Sequence, residues 1–222
     1  MKFAKLLILL ICLQLVSSCA VVNYSTGSAV SLTKEPIFDP SKTYTYYDDA
    51  VSRELKFDKF ELRVTPYNTL NTSSHSEFFF IPFEERGQFK GSIGERPFQI
   101  SISLKGEKNK VTFFPFKSKL SDGAELEVVQ WRDPKPTCAY NYTEWSDLES
   151  GAFHLIKDRL RNQDESCMKP GWVEYLLVFD SETPSPNTRF SLDLTFKDNK
   201  TNTLIEKTLF FSPAKYISTQ TH

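Results

Sequence analysis

The chain has 222 residues, with 27 basic and 28 acidic side chains and a formal net charge of −1. No basic block of five or six residues occurs, which makes nucleic acid a poor partner. A hydrophobic content of 40 % with 19 Phe excludes a disordered chain and points to a packed, aromatic-rich core.

Lys2 and Lys5 give the N-terminus a positive start. Residues 6–16 form an apolar run broken by Gln14, and the small residues Ser17 and Ser18 follow. That layout predicts a signal peptide over residues 1–18, because the run is too short for a hydrocarbon core of ~30 Å. No later window is long and apolar enough to predict a transmembrane helix.

Val16, Ser17, Ser18 and Cys19 close this segment. The sequence resembles the lipobox of bacterial lipoproteins: an aliphatic residue, two small residues and a cysteine. The resemblance implies cleavage before Cys19 and attachment of palmitate or a similar acyl group there. Ala20 stands where an inner-membrane retention signal usually places Asp, so the resemblance implies the outer membrane. It ends at residue 19 and carries nothing about the fold. Without lipidation, Ser18-Cys19-Ala20 reads as an ordinary cleavage site and the protein as secreted.

Residues 19–42 are rich in Ser, Thr, Val and Asn and show no clear period. They read as a lipidated tether below a domain spanning 43–222. Thr43 to Tyr47 could begin an edge strand. Period-two alternation then starts at Leu55 and continues through Phe60, Leu62 and Val64, with a bulge expected between Phe57 and Phe60. Phe78 to Ile81 reads as a strand apolar on both faces. Phe98, Ile100, Ile102 and Leu104 alternate with polar residues in a third strand, and Val111 to Phe116 forms a fourth. The Gly106 and Asn109 region predicts a hairpin joining these last two.

The second half resembles the first. Glu174 to Phe179 is similar to Glu77 to Phe83, Arg189 to Lys197 to Arg96 to Lys105, and Lys207 to Pro213 to Lys110 to Pro115. The expectation is a mainly β fold, an antiparallel β-sandwich of immunoglobulin-like type. It would be built from two four-stranded repeats at about 54–120 and 124–217. Two separate immunoglobulin-like domains are the rival. An insertion at 132–171 interrupts the second repeat. Phe153, Ile156 and Leu160 in it fit a short amphipathic helix near 152–161.

Cys12 leaves with the signal and Cys19 takes the lipid. Cys138 and Cys167 remain, an even pair in an oxidising compartment, and read as a disulfide stapling the insertion. Closing that loop of about 29 residues is worth roughly 3–4 kcal/mol.

Motifs for catalysis are lacking. His75, His154 and His222 make no metal-ligand spacing, no nucleophile elbow or phosphate loop occurs, and no cofactor is implied. The aromatic cluster in and beside the insertion is more informative. Trp131 and Trp172 read as core. Tyr140, Tyr142 and Trp145 mix flat apolar faces with polar edges and are the candidate binding residues. The expected protein is a non-catalytic envelope lipoprotein held at the membrane, with a protein partner or a structural role. A carbohydrate- or peptidoglycan-binding module is the alternative.

Overall fold

The computed structural model describes residues 19–39, 41–45, 53–78, 81–86, 91–106, 109–133, 143–149, 151, 154–155 and 172–221. The fold is mainly β, with two sheets packed as a sandwich and no α-helix among the described residues.

The first sheet contains β1 (Cys19–Ser31), β5 (Leu70–Phe78), β6 (Ile81–Arg86), β8 (Val111–Phe113), β12 (His154–Leu155), β14 (Phe190–Asp198) and β15 (Thr203–Thr221). Their order is β12-β8-β14-β15-β1-β5-β6. Two short strands join it from the side: β2 (Thr43–Thr45) pairs parallel with β15, and β9 (Lys119–Leu120) pairs with β14. The second sheet has the order β11-β10-β13-β7-β4-β3. These are β11 (Ser146–Asp147), β10 (Leu126–Arg132), β13 (Val173–Phe179), β7 (Phe98–Gly106), β4 (Phe60–Pro66) and β3 (Leu55–Lys56).

Alternation builds the core. Phe98, Ile100, Ile102 and Leu104 of β7 turn inward and are buried, while Gln99, Ser101 and Ser103 turn out. Rings from opposite sheets lock the layers together. Phe60 of β4 meets Phe196 of β14 at 4.5 Å, Phe113 of β8 meets Tyr175 of β13 at 5.1 Å, and Phe98 meets Phe190 at 5.6 Å. One continuous cluster runs from Val30 to Phe211 and draws on both sheets, so the two halves share a single core. An ion pair between Lys59, in the β3–β4 turn, and Asp198, at the end of β14, ties the layers at one rim.

Several expectations change. Residues 19–42 do not form a plain tether: Cys19–Ser31 is a strand paired on one side with β15 and on the other with β5. Its buried middle, Ser25 to Ala29, is made of small residues. Their polar atoms are paired, Ser25 Oγ donating to Asn71 (2.7 Å) and Ser28 Oγ accepting from Asn68 (2.8 Å). The expected bulge at Phe57 and Phe60 is a tight turn, with Leu55 opposite Leu62 and the Phe57 N–H on the Phe60 carbonyl (2.9 Å). Phe78 and Ile81 do not share a strand; they face each other where β5 and β6 meet.

The segment between β7 and β8 is no hairpin, because those strands belong to different sheets. The expected repeats do not each form one sheet. In the first, β4 and β7 lie in the second sheet while β5, β6 and β8 lie in the first; in the second, β10 and β13 lie in the second sheet while β14 and β15 lie in the first. Within the expected helix, His154–Leu155 is instead a strand against β8, and the other residues of 152–161 lie outside the described residues. Cys138 and Cys167 lie outside them too.

Candidate functional site

The outward positions of the second sheet carry the most organised polar surface. Register sets Arg132 opposite Glu174, Glu174 opposite Ser103, and Ser103 opposite Arg63, in one line across four strands. Trp145 stands just before Ser146, which pairs with Trp131, so it extends that line beyond Arg132. The alternation that buries Val129, Val173, Leu104 and Leu62 forces these neighbours to the other face.

At one end, the Arg132 Nε donates to Glu174 Oε2 at 2.6 Å, and its guanidinium carbon lies 4.3 Å from the centre of the Trp145 ring. At the other end, Arg63 donates to Glu54 Oε2 at 2.9 Å and covers the Trp172 ring at 4.4 Å. Lys105, which pairs with Glu61, approaches the same ring at 4.7 Å. Each arginine therefore spans a carboxylate and an indole, which uses its fork and its flat face together. Burial works to raise the Glu54 carboxyl, but hydrogen bonding, that of Arg63 first, and the charges of Lys105 and Arg63 hold it below its ordinary value.

Trp172 was expected in the core. It is buried (5 % exposed), yet it stands apart from the shared core cluster and packs between Arg63 and Lys105. Its indole Nε1 is buried without a hydrogen-bond partner among the described residues, an unused donor beside Arg63 and Lys105. Trp131 does pack against the core. Further along the same strands, Thr65, Ser101 and Gln99 continue the half-buried polar surface that Ser103 begins.

Three cations, Arg63, Lys105 and Arg132, are matched by Glu54, Glu61 and Glu174. The face is locally balanced, so it suits a mixed polar and aromatic surface better than a highly charged one. Of the candidate binding residues, Trp145 takes part in this face, half-buried beside Arg132. Tyr140 and Tyr142 lie outside the described residues. Sequence reasoning missed Arg63, Lys105, Arg132 and Glu174. The available signal was that all four occupy the polar phase of an alternating strand.

A second concavity, of about 520 Å³, opens on the first sheet where a 3-10 turn (Pro115–Lys117) separates β8 from β9. Lys117, Lys119, Asp193, Glu206 and Thr208 line it, and the Thr208 hydroxyl donates to Asp193 at 2.6 Å. Its charges also balance, and register sets Lys119 opposite Asp193. Among the described residues no group of three or more His, Cys, Asp or Glu side chains could hold a metal ion. Cys19 is the first residue of β1, at the end of the first sheet.

No protein-family model, curated protein or solved structure matches this chain.

Proposed function

We propose that this is a lipid-anchored protein of the bacterial envelope, sorted to the outer membrane, which holds a protein partner without catalysis. The anchor rests on the lipobox-like sequence ending at Cys19. The partner reading rests on one observation: two arginine–indole contacts, each braced by a carboxylate, end the Arg132–Glu174–Ser103–Arg63 line on the outward face of the second sheet. Tryptophan and arginine dominate the energetics of protein interfaces, and bracing reduces the rotamer entropy lost on binding.

A glycan-binding module is the second reading. Sugar rings stack on open aromatic faces, but here Arg63 and Arg132 each occupy a face of an indole. That favours protein over carbohydrate. The finer fold reading remains an immunoglobulin-like sandwich, supported by two largely antiparallel sheets closed over one alternating core.

The test is crosslinking in intact cells followed by mass spectrometry, comparing wild type with an Arg132→Ala/Trp145→Ala variant and with Cys19→Ala. A specific protein adduct, lost in the face variant, is the expected result. Recovery of glycan alone would replace the first reading with the second. Unchanged protein adducts in the face variant would remove the sheet from the interaction. Palmitate labelling that is equal in wild type and Cys19→Ala would remove the anchor.

A further inference from the structure

The concavity on the first sheet has sides of opposite charge. It opens between two attachments to β14: the Phe114 N–H on the Thr195 carbonyl (3.0 Å) and the pairing of Lys119 with Asp193. Residues 114–118 are more chain than the Thr195–Asp193 stretch of β14 can match, so they loop out through the 3-10 turn. Lys117 and Lys119 thereby stand on one side. Register sets Asp193 opposite Thr208 and Thr195 opposite Glu206, and these β14 and β15 positions form the other side. They take the outward phase because Leu192, Leu194 and Leu209 take the inward one. The volume of about 520 Å³ falls in the ~300–1,000 Å³ range of small-molecule sites.

These charges do not neutralise one another. A cross-strand ion pair is the ordinary use of a lysine opposite an aspartate. Asp193 instead accepts from the Thr208 hydroxyl at 2.6 Å, and among the described residues no ion pair joins it to Lys119. The side chains of Lys119 and Glu206 make no hydrogen bond or ion pair among the described residues, and both are exposed. The Lys117 Nζ lies 5.2 Å from the centre of the Phe114 ring, on the Lys119 side. A ligand of one charge sign meets repulsion from one side or the other. The complement is a molecule with a carboxylate at one end and an ammonium at the other. Lys119 and Glu206 lie on β9 and β15 with β14 between them, so their backbones stand roughly 10 Å apart. A single amino acid is too short for that span. An extended chain gains ~3.3–3.6 Å per residue, so about three residues reach across.

We propose that this concavity binds a short peptide with free ends, its carboxylate at Lys117 and Lys119 and its ammonium at Asp193 and Glu206. The Thr208 hydroxyl fixes the Asp193 carboxylate in advance, which reduces the rotamer entropy lost on binding. The charged groups lie at the two sides and meet the two ends of the ligand, so the site reads termini and tolerates varied side chains between them. It lies on the sheet opposite the Arg132–Trp145 face and depends on neither that face nor the anchor.

The test is isothermal titration calorimetry of the purified full-chain protein, as processed by its host, with trialanine as the probe. Saturable binding with a Kd of about 1 mM or tighter is expected. N-acetyl-trialanine and trialanine amide each lack one terminal charge and should bind roughly five-fold more weakly. Lys119→Ala should weaken trialanine and the N-acetyl peptide but not the amide. Glu206→Ala should weaken trialanine and the amide but not the N-acetyl peptide. Both residues are exposed, so both variants should keep the wild-type thermal transition. No saturable heat from any of the three peptides at concentrations up to about 10 mM overturns the inference. Equal affinity for all three peptides overturns it, as does trialanine binding that survives both substitutions, because the charges then play no part. Tighter binding of a neutral glycan, chitotriose, than of trialanine overturns it as well.

Discussion

The Arg132 guanidinium lies 4.3 Å from the centre of the Trp145 ring while its Nε holds Glu174 at 2.6 Å. Removing either neighbour therefore has unequal consequences. Arg132→Ala strands a carboxylate that is only 17 % exposed, at a cost of about 1–3 kcal/mol. Trp145→Ala leaves the ion pair intact and costs less. A double-mutant cycle by urea denaturation should give an Arg132–Trp145 coupling of about 0.5–1 kcal/mol. Additive effects would show that the stack has no energetic content.

A proline at Val22 separates a strand from a tether. Val22 lies opposite Thr219 on β15 and His75 on β5, inside a ladder paired on both sides. Proline there lacks an N–H and leaves a ladder partner unmatched. Val22→Pro should destabilise the protein by on the order of 2 kcal/mol and expose residues 19–31 to proteolysis. In a flexible linker the same change would be silent in a thermal melt.

The Lys59–Asp198 pair should govern stability in acid. A hydrogen bond from Lys59, followed by those of Lys200 and Thr201 and the lysine charge, outweighs desolvation and lowers the Asp198 carboxyl from 3.8 to about 2. A depressed folded value means stability that is present above pH 3.8 and is lost as pH falls toward 2. Asp198→Asn should therefore reduce stability at neutral pH and flatten the urea midpoint between pH 4 and pH 2. A wild-type slope retained in that variant would assign the acid transition to other carboxylates.

Tyr175 sets the corresponding behaviour at high pH. Burial, and then the charge of Asp133, push its hydroxyl far above the ordinary value of 10. The unfolded chain ionises this group above pH 10 while the folded one does not, so stability declines as pH rises past 10. Absorbance titration should show one tyrosine that ionises only on unfolding. Tyr175→Phe should remove that event.

The core prediction follows from ring packing. Phe196 is fully buried, stacked on Phe113 at 5.1 Å and set against Phe60 at 4.5 Å across the layers. Phe196→Ala should cost about 3–5 kcal/mol, whereas Phe196→Leu should cost less because it keeps most of the volume. Denaturant midpoints with unchanged slopes would check both.

The β-rich class and the inward set of β7 were legible because half-buried strands write their burial as a period of two. Phe98, Ile100, Ile102 and Leu104 each lose their water, and the residues between them do not. Other features left no such trace. β1 is buried on small residues from Ser25 to Ala29, so burial came without apolar alternation and the strand read as a tether. Phe78 and Ile81 read as one strand because apolar residues continue through the point where the chain reverses.

Sheet membership was decided by the tertiary structure. Two similar apolar strands can lie in one sheet or in opposite sheets, because local period specifies which side chains turn inward and not which backbone supplies the hydrogen bonds. That is why β7 and β14 looked like repeats and pack face to face. Only the register brings Arg132, Glu174 and Ser103 into line with Arg63, and only pairing of a central β1 carries Cys19 to the side of Phe78. Those pairings join residues distant in sequence, so their selection depends on the whole core closing at once.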